Sequence, residues 1–136
     1  MTKVYCDTCV YRDAFEGRKA KYRDFDDFAW DFFNKVMNDK FVLVTSDWVF
    51  EEFKKTVGND KKLVELLSEM KESQKIHVTK EKEDVDKAKK LSPGNWQDAL
   101  HVVLAMKADA FFLTTRNIKD FVEFKDLIEI VLPEHL

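Results

Sequence analysis

Short apolar runs of strand length recur along this chain, and segments with helical periodicity separate them. Three of these runs are continuous and bulky, namely "VYC" at 4–6, "FVLVT" at 41–45 and "FFLTT" at 111–115. Two weaker runs, "KIHVT" at 75–79 and "IEIVL" at 128–132, have a similar length. A short continuous apolar run is typical of a strand that is covered on both faces. Strands that alternate with helices indicate right-handed crossovers, so we expect a three-layer α/β/α fold with a mainly parallel central sheet.

Helical periodicity is clearest between the first two of these runs. In "RDFDDFAWDFFNKVMND" at 23–39, apolar side chains recur at helical spacing and predict a helix with a broad core-facing stripe. Trp30 and Met37 extend the apolar surface onto the flank of this helix, so either the helix is unusually enclosed or its flank meets a partner. Further helices are predicted at four places, near 47–57, 63–70, 80–91 and 96–106.

Length and composition limit the classes of protein that are compatible with this chain. The 136 residues are enough for one domain, 1–136, with a sizeable core, and the 3 Gly and 2 Pro leave little room for long linkers. The formal charge of −3 argues against a protein that coats nucleic acid by bulk attraction, but it is compatible with a nuclease. Apolar runs are shorter than the roughly 18 residues of a membrane span, and the first strand begins too early for a signal peptide. We therefore expect a cytoplasmic protein that does not enter a membrane.

The first strand leads into "CDTC", where two cysteines flank a carboxylate. Structural zinc needs four ligands, and the three histidines of the chain do not have finger-like spacing relative to Cys6 and Cys9. A redox pair needs a lowered thiol pKa, which Asp7 between the sulfurs would oppose. The cysteines are therefore interpreted as small apolar residues, and Asp7 becomes the chemically interesting group.

Acidic residues follow three of the predicted strands and one loop. Asp7 directly follows the first strand, and Glu51 lies one and a half turns into the helix after "FVLVT". Asp98 lies in the first turn after the Pro-Gly loop, and Asp120 lies just beyond "FFLTT". Sites in parallel sheets lie beyond the carboxyl ends of the strands, so these acids can converge there. Clustered carboxylates repel unless a cation lies among them, and Mg²⁺ prefers oxygen ligands in open sites of this kind.

Each acid also fits a structural interpretation. Asp7 is well placed to cap the first helix. The pairs Asn95 with Asp98 and Asn117 with Asp120 both resemble capping boxes. Glu51 fits a solvated surface residue.

The same residues carry a family resemblance. The segments "VYCDTCVY", "VTSDWVFEEF", "DALHVVLAMKADAFFLTTRNIKDF" and "IEIVLPEHL" together resemble a PIN domain, the nuclease fold of VapC-type toxins and of RNA-processing factors. The likeness extends over nearly the whole length, although the middle is matched only by its helical pattern. It implies a parallel sheet with flanking helices and Mg²⁺- or Mn²⁺-dependent cleavage of RNA.

The resemblance also implies roles for individual residues. Asp7, Glu51 and Asp98 match the three best-defined acids of the family, and Glu51 is preferred to Glu52 because it has the family's spacing from Ser46. Many members have Asp where this chain has Asn117, so either Asn117 or Asp120 completes the metal site. Thr8, Thr115 and Cys9 are the implied polar neighbours of these ligands, and Cys9 replaces the usual Asn.

RNA must be held by groups other than the acids. Arg12, Lys54, Arg116 and Lys119 lie close to the acids in sequence, and such charges would bind phosphates in a salt-dependent way. Ordinary solubilising charge is the alternative interpretation of each. His101, one turn after Asp98, fits either a residue that orients a ligand or a buried histidine with satisfied hydrogen bonds.

Two classes of function remain compatible with these residues. The first is an endoribonuclease, either the toxin of a pair with an antitoxin or an RNA-maturation enzyme, with the flank around Trp30 and Met37 available to an antitoxin or a second copy of the chain. The alternative is a catalytically quiet PIN-like module that binds RNA or protein, which the changes at Cys9 and Asn117 allow. A phosphatase of the haloacid-dehalogenase type is excluded because it needs an Asp where Cys9 stands.

Overall fold

A parallel sheet runs through the centre of the computed structural model, which describes residues 1–21 and 23–136. Within those residues the sheet has five strands in the order β3-β2-β1-β4-β5, and every neighbouring pair is parallel. The strands are β1 (Lys3–Cys6), β2 (Val42–Ser46), β3 (Lys75–Val78), β4 (Phe112–Thr114) and β5 (Glu129–Val131). Each predicted strand is present, and its ends differ by at most one residue from those of the apolar run.

Helices cover the sheet and complete the predicted three-layer α/β/α fold. They are α1 (Thr8–Glu16), α2 (Phe25–Met37), α3 (Asp47–Val57), α4 (Lys61–Glu69), α5 (Lys82–Leu91), α6 (Trp96–Lys107) and α7 (Ile118–Phe121). Short 3₁₀ turns occupy Glu72–Gln74, Pro93–Asn95, Val122–Phe124 and Pro133–His135. Helix α1 packs against α2 and α3, and α5 packs against α6. Among the described residues, no helix combines the length and apolar character that crossing a bilayer requires.

The core forms where apolar faces of the helices meet the sheet. Phe32 and Phe33 of α2 are fully buried, and Phe33 stacks on the ring of Tyr11 in α1 with 5.1 Å between centroids. Trp30 leaves 37% of its surface exposed and donates its indole N–H to the carbonyl of Ala14. Met37 is partly buried against the core. A contact of this flank with a partner stays a prediction.

The strand order determines where a ligand site is expected. The chain builds β1, β2 and β3 toward one edge and then returns to place β4 and β5 on the other side of β1. The topological switch point therefore lies between β1 and β4, and ligands in open parallel sheets bind at the carboxyl ends of such strands. Asp7 follows β1 at this point, and its backbone N–H donates to the carbonyl of Thr114 at 3.0 Å.

Capping agrees with part of the sequence prediction. The Ser46 hydroxyl accepts a hydrogen bond from Val49 N at 3.2 Å and caps α3, as expected. Asp7 caps α1 through its Oδ1 atom. The capping boxes suggested for Asn95 and Asn117 do not form, because neither side chain bonds a backbone N–H of the helix that follows it. The Asn95 amide donates instead to the carbonyl of Asp120 at 2.9 Å.

Candidate functional site

Asp7 is a buried carboxylate with partners on several elements, and only 6% of the residue is exposed. Its Oδ1 accepts a hydrogen bond from Thr8 N at 2.8 Å, as the cap of α1. Its Oδ2 accepts from the Thr115 hydroxyl at 2.8 Å and from the Cys9 thiol at 3.2 Å. The carboxylate is therefore held in one orientation at the switch point.

Glu52 and His101 complete a cluster with Asp7. His101 Nε2 lies 2.6 Å from Glu52 Oε1 and 3.3 Å from Asp7 Oδ1. The hydroxyl of Thr8 donates to the same Glu52 oxygen at 2.8 Å. One potential ligand atom from each of the three residues lies within 4.8 Å of the others, so this group could hold a metal ion. Helices α3 and α6 and the end of β1 supply the three side chains.

A hydrogen-bonded chain supports His101 from inside the protein. His101 is fully buried, and its Nδ1 lies 2.7 Å from the hydroxyl of Tyr5, which lies 2.7 Å from the hydroxyl of Ser46. Burial alone would lower the pKa of His101, but the carboxylates of Glu52 and Asp7 outweigh burial and raise it. The imidazole is thus oriented by Tyr5 and places its Nε2–H between two acids.

The contact with His101 also affects the ionisation of Glu52. Burial alone would raise its pKa, but the charge of His101 and the hydrogen bonds from His101 and Thr8 lower it. Glu52 is therefore expected to be a carboxylate at neutral pH, with one oxygen committed to these two donors.

Asp98 shares a pocket with this cluster. The pocket has a volume of about 520 Å³, and its lining includes Asp7, Glu52, Asp98 and Asn117. Burial, together with the negative charges of Asp7, Asp120 and Glu52, raises the pKa of Asp98 to about 7, although the charge of His101 opposes the increase. The lining of the pocket contains four acids, Asp7, Glu51, Glu52 and Asp98, and two cations, Arg12 and Lys55.

The three predicted polar neighbours, Thr8, Thr115 and Cys9, each contact Asp7 or Glu52. Thr8 bonds Glu52, and Thr115 and Cys9 bond Asp7. Cys6 and Cys9 are free thiols, and burial together with the charge of Asp7 raises the pKa of each. A raised pKa leaves less reactive thiolate at neutral pH, which agrees with the non-redox interpretation.

The glutamate that reaches Asp7 is Glu52, whereas the family spacing had favoured Glu51. Glu51 lies at the rim of the same pocket, where its carboxylate pairs with Lys80 Nζ at 2.6 Å. The buried face of α3 carries Val49 and Phe53. Glu52 follows Val49 by one helical turn and precedes Phe53, so it projects on the buried side, while Glu51 does not. The spacing of Val49 and Phe53 in the sequence therefore indicates that Glu52, rather than Glu51, lies on the inward side of α3.

Asn117 and Asp120 occupy different positions relative to the pocket. Asn117 lines the acidic pocket and also an adjacent groove, whose lining includes Arg116, Lys119 and Asp120. The backbone N–H of Asn117 donates to the Thr115 hydroxyl at 3.0 Å. Asp120 is exposed and lines only the adjacent groove, yet its charge contributes to the raised pKa of Asp98. Asn117 thus borders the pocket itself, and Asp120 acts electrostatically on Asp98.

Of the four cations suggested for RNA binding, three line the pocket or the adjacent groove and Lys54 lines neither. Arg12 lines the acidic pocket, and Lys119 lines the adjacent groove beside Asn117. Arg116 also lines that groove, but its Nε donates to the buried Asp13 carboxylate at 2.7 Å. Lys54 does not line the pocket and pairs with Asp60 at 3.6 Å. Lys55, the next residue, lines the pocket instead.

Comparison with known proteins adds no assignment. The sequence matches no protein-family model and no curated protein. The function is therefore inferred from the chain's own residues.

The side chains around Asp7 fit a hard divalent cation. Asp7, Glu52 and Asp98 offer carboxylate oxygens to one pocket, which are the ligands that Mg²⁺ prefers. Burial is the main cause of the raised pKa of Asp98, and the charges of Asp7, Asp120 and Glu52 add a smaller repulsion, which a bound cation would relieve. His101 is better suited to holding Glu52 than to binding Mg²⁺, because Mg²⁺ takes oxygen ligands.

Proposed function

We propose that this protein is a divalent-metal-dependent endoribonuclease of the PIN type, which cleaves RNA phosphodiester bonds. The observation that carries the proposal is the convergence of Asp7, Glu52 and Asp98 on one pocket at the switch point of the sheet. Hydrogen bonds fix the carboxylates of Asp7 and Glu52 in place, which distinguishes them from isolated acids on the surface. Mg²⁺ or Mn²⁺ is the cofactor that this set of oxygen ligands fits.

Each residue has a part in the proposed reaction. Asp7, Glu52 and Asp98 would hold the cation, and Asn117, which lines the same pocket, would be a further oxygen ligand. Mg²⁺ or Mn²⁺ would supply Lewis acidity, a more acidic water and stabilisation of the phosphodiester oxygens. Thr115, Thr8 and His101 fix the orientation of the carboxylates through the hydrogen bonds described above. Such preorganisation removes the cost of reorganising the ligands during the reaction.

The substrate and partners follow from the same reaction. Arg12 and Lys55 at the pocket would contact RNA phosphates, with Lys119 in the adjacent groove. The activity would be cytoplasmic. Two biological roles share this chemistry, a toxin restrained by an antitoxin and an RNA-maturation enzyme, and in either role Trp30 offers an exposed aromatic contact to an antitoxin or a second copy.

Cleavage of a fluorescent single-stranded RNA tests the proposal. We expect cleavage with Mg²⁺ or Mn²⁺, none in EDTA, and none with Asp7→Asn, which keeps the size of the side chain and removes its charge. Asp31→Asn is the matched control, because Asp31 is an exposed acid outside the pocket. Thermal unfolding of all three proteins checks that the fold is retained.

The result can also select the alternative function. If the wild-type protein binds RNA but does not cleave it with either cation, the nuclease proposal fails and a quiet RNA-binding module replaces it. Cleavage that is equal in wild type and Asp7→Asn would assign the activity to another site or to a contaminant.

A further inference from the structure

Trp48 forms an aromatic wall of the acidic pocket. It is the second residue of α3, it is partly exposed, and it lines the pocket together with Asp7, Glu52 and Asp98. Metal binding alone does not require a large aromatic surface beside the carboxylates. A bound nucleotide, in contrast, could stack its base on such a surface.

Several contacts hold the Trp48 ring in place. Its indole N–H donates to the carbonyl of Gln97 at 3.0 Å, which ties α3 to the first turn of α6. The ring of Trp96 lies 5.7 Å away between centroids at an interplanar angle of 32°. The ring is therefore preorganised, which lowers the entropic cost of a stacking contact.

Lysines accompany both indoles. Lys80 Nζ lies 5.2 Å from the centroid of Trp48, and Lys89 Nζ lies 4.9 Å from that of Trp96. Lys80 also pairs with Glu51, and a base that stacks on this face of Trp48 would replace the ammonium there. Aromatic rings interleaved with cations are the combination that binds single-stranded nucleic acid, because bases stack on the rings and phosphates meet the cations.

We propose that Trp48 is a stacking platform for one nucleobase of single-stranded RNA, next to the phosphodiester that is hydrolysed at the acidic pocket. This inference rests on the proposed ribonuclease function and names its substrate class. A base in a duplex is already stacked on its neighbours, so the platform selects unpaired RNA. Every base has a stackable face, so the platform favours no particular base.

Binding measurements with an inactive protein test the platform directly. The Asp7→Asn protein is titrated in Mg²⁺ buffer against a labelled single-stranded oligouridine, and fluorescence anisotropy reports the affinity. We expect Trp48→Leu in this background to weaken binding roughly 10-fold, and Trp48→Phe to retain most of the affinity. Trp30→Phe is the control, because Trp30 lies outside the pocket. Circular dichroism and thermal unfolding check that each variant is folded.

Abasic RNA separates stacking from a general disturbance of the pocket. Oligonucleotides that lack a single base, at each position in turn, are bound to the protein that retains Trp48 and to the Trp48→Leu protein. We expect one position at which the missing base weakens binding roughly 10-fold when Trp48 is present and has no effect in the Trp48→Leu protein. Losses at that position that are equal in the two proteins would overturn the platform.

Other outcomes separate this inference from the nuclease proposal. If Trp48→Leu does not change the affinity for RNA, and the protein that retains Asp7 cleaves RNA, the platform is wrong and the nuclease proposal stands. A Trp48-dependent affinity without any metal-dependent cleavage overturns the nuclease and leaves the platform. Equal binding of duplex and single-stranded RNA, or no binding of RNA, also overturns the platform.

Discussion

His101 Nε2 lies 2.6 Å from Oε1 of Glu52, which brings the middle of α6 into hydrogen-bond contact with α3 beside the candidate metal site. The contact joins a fully buried imidazole to a carboxylate that reaches the pocket. Each partner favours the charged form of the other, as the raised pKa of His101 and the lowered pKa of Glu52 indicate. Glu52 is therefore presented to the pocket as a fixed carboxylate.

The two adjacent glutamates of α3 should differ sharply in function. We expect Glu52→Gln to lower metal-dependent RNA cleavage roughly 100-fold or more, because a ligand charge and its contact with His101 are lost. Glu51→Gln should change cleavage less than about 3-fold, because Glu51 pairs with Lys80 at the rim. Initial rates of RNA cleavage at saturating Mg²⁺ compare the two variants. The reverse order would assign the ligand role to Glu51, as the family spacing suggested.

Divalent cations should stabilise the folded protein. Binding to the native state alone adds about 2.7 kcal/mol to the free energy of unfolding at a concentration 100 times Kd. We expect the melting temperature to rise with added Mg²⁺ or Mn²⁺ and to fall again with EDTA. Asp98→Asn should reduce the rise, because it removes a carboxylate from the pocket. A melting temperature that does not respond to either cation would argue against a metal site.

Arg116 should contribute more to stability than a surface arginine does. Its Nε donates to Asp13, whose side chain is only 3% exposed. We expect Arg116→Gln to lower the free energy of unfolding by about 3 kcal/mol, because a buried carboxylate loses its main partner. Adding Asp13→Asn should recover part of this loss, which a double-mutant cycle in urea measures. Strictly additive effects would show that the two side chains do not interact in solution.

Asp84 should make stability depend on pH in the acid range. Its carboxylate accepts hydrogen bonds from Glu81 N and from Lys107 Nζ, each at 2.9 Å. Burial alone would raise its pKa, but the contacts with Lys107 and Glu81 lower it below its ordinary value. The folded pKa then lies below the unfolded value of about 3.9, so the stabilisation is present above that value and is lost as pH falls through the folded pKa.

Urea unfolding between pH 3 and pH 7 measures this contribution. We expect Asp84→Asn to be about 1 kcal/mol less stable than wild type at pH 7, with a difference that shrinks below about pH 4. Asp86→Asn is the control, because Asp86 is an exposed acid on the same helix. A difference for Asp84→Asn that stays constant down to pH 3 would contradict the prediction.

Periodicity in the sequence was sufficient to predict the five strands and most of the helices in their order, but not the short helix α7 (Ile118–Phe121). The apolar runs identified all five strands, and the helix predicted from 47 to 57 has those bounds in the structure. The reason is physical and local, since a strand or helix must present apolar side chains at its own period to be buried. The position of Asp7 at the end of β1 followed from the same pattern, as did the Ser46 cap.

The partners of the site residues were decided only by tertiary packing. One step along a helix turns a side chain by about 100°, so Val49 and Phe53 indicate that Glu52 rather than Glu51 faces inward, but the residues that Glu52 contacts depend on how α3 packs against α6. The contacts of Glu52 with His101 and of Asp13 with Arg116 span 49 and 103 residues. Local periodicity carries no information on such pairs, because their distance is determined by how helices and strands pack together rather than by spacing along the chain.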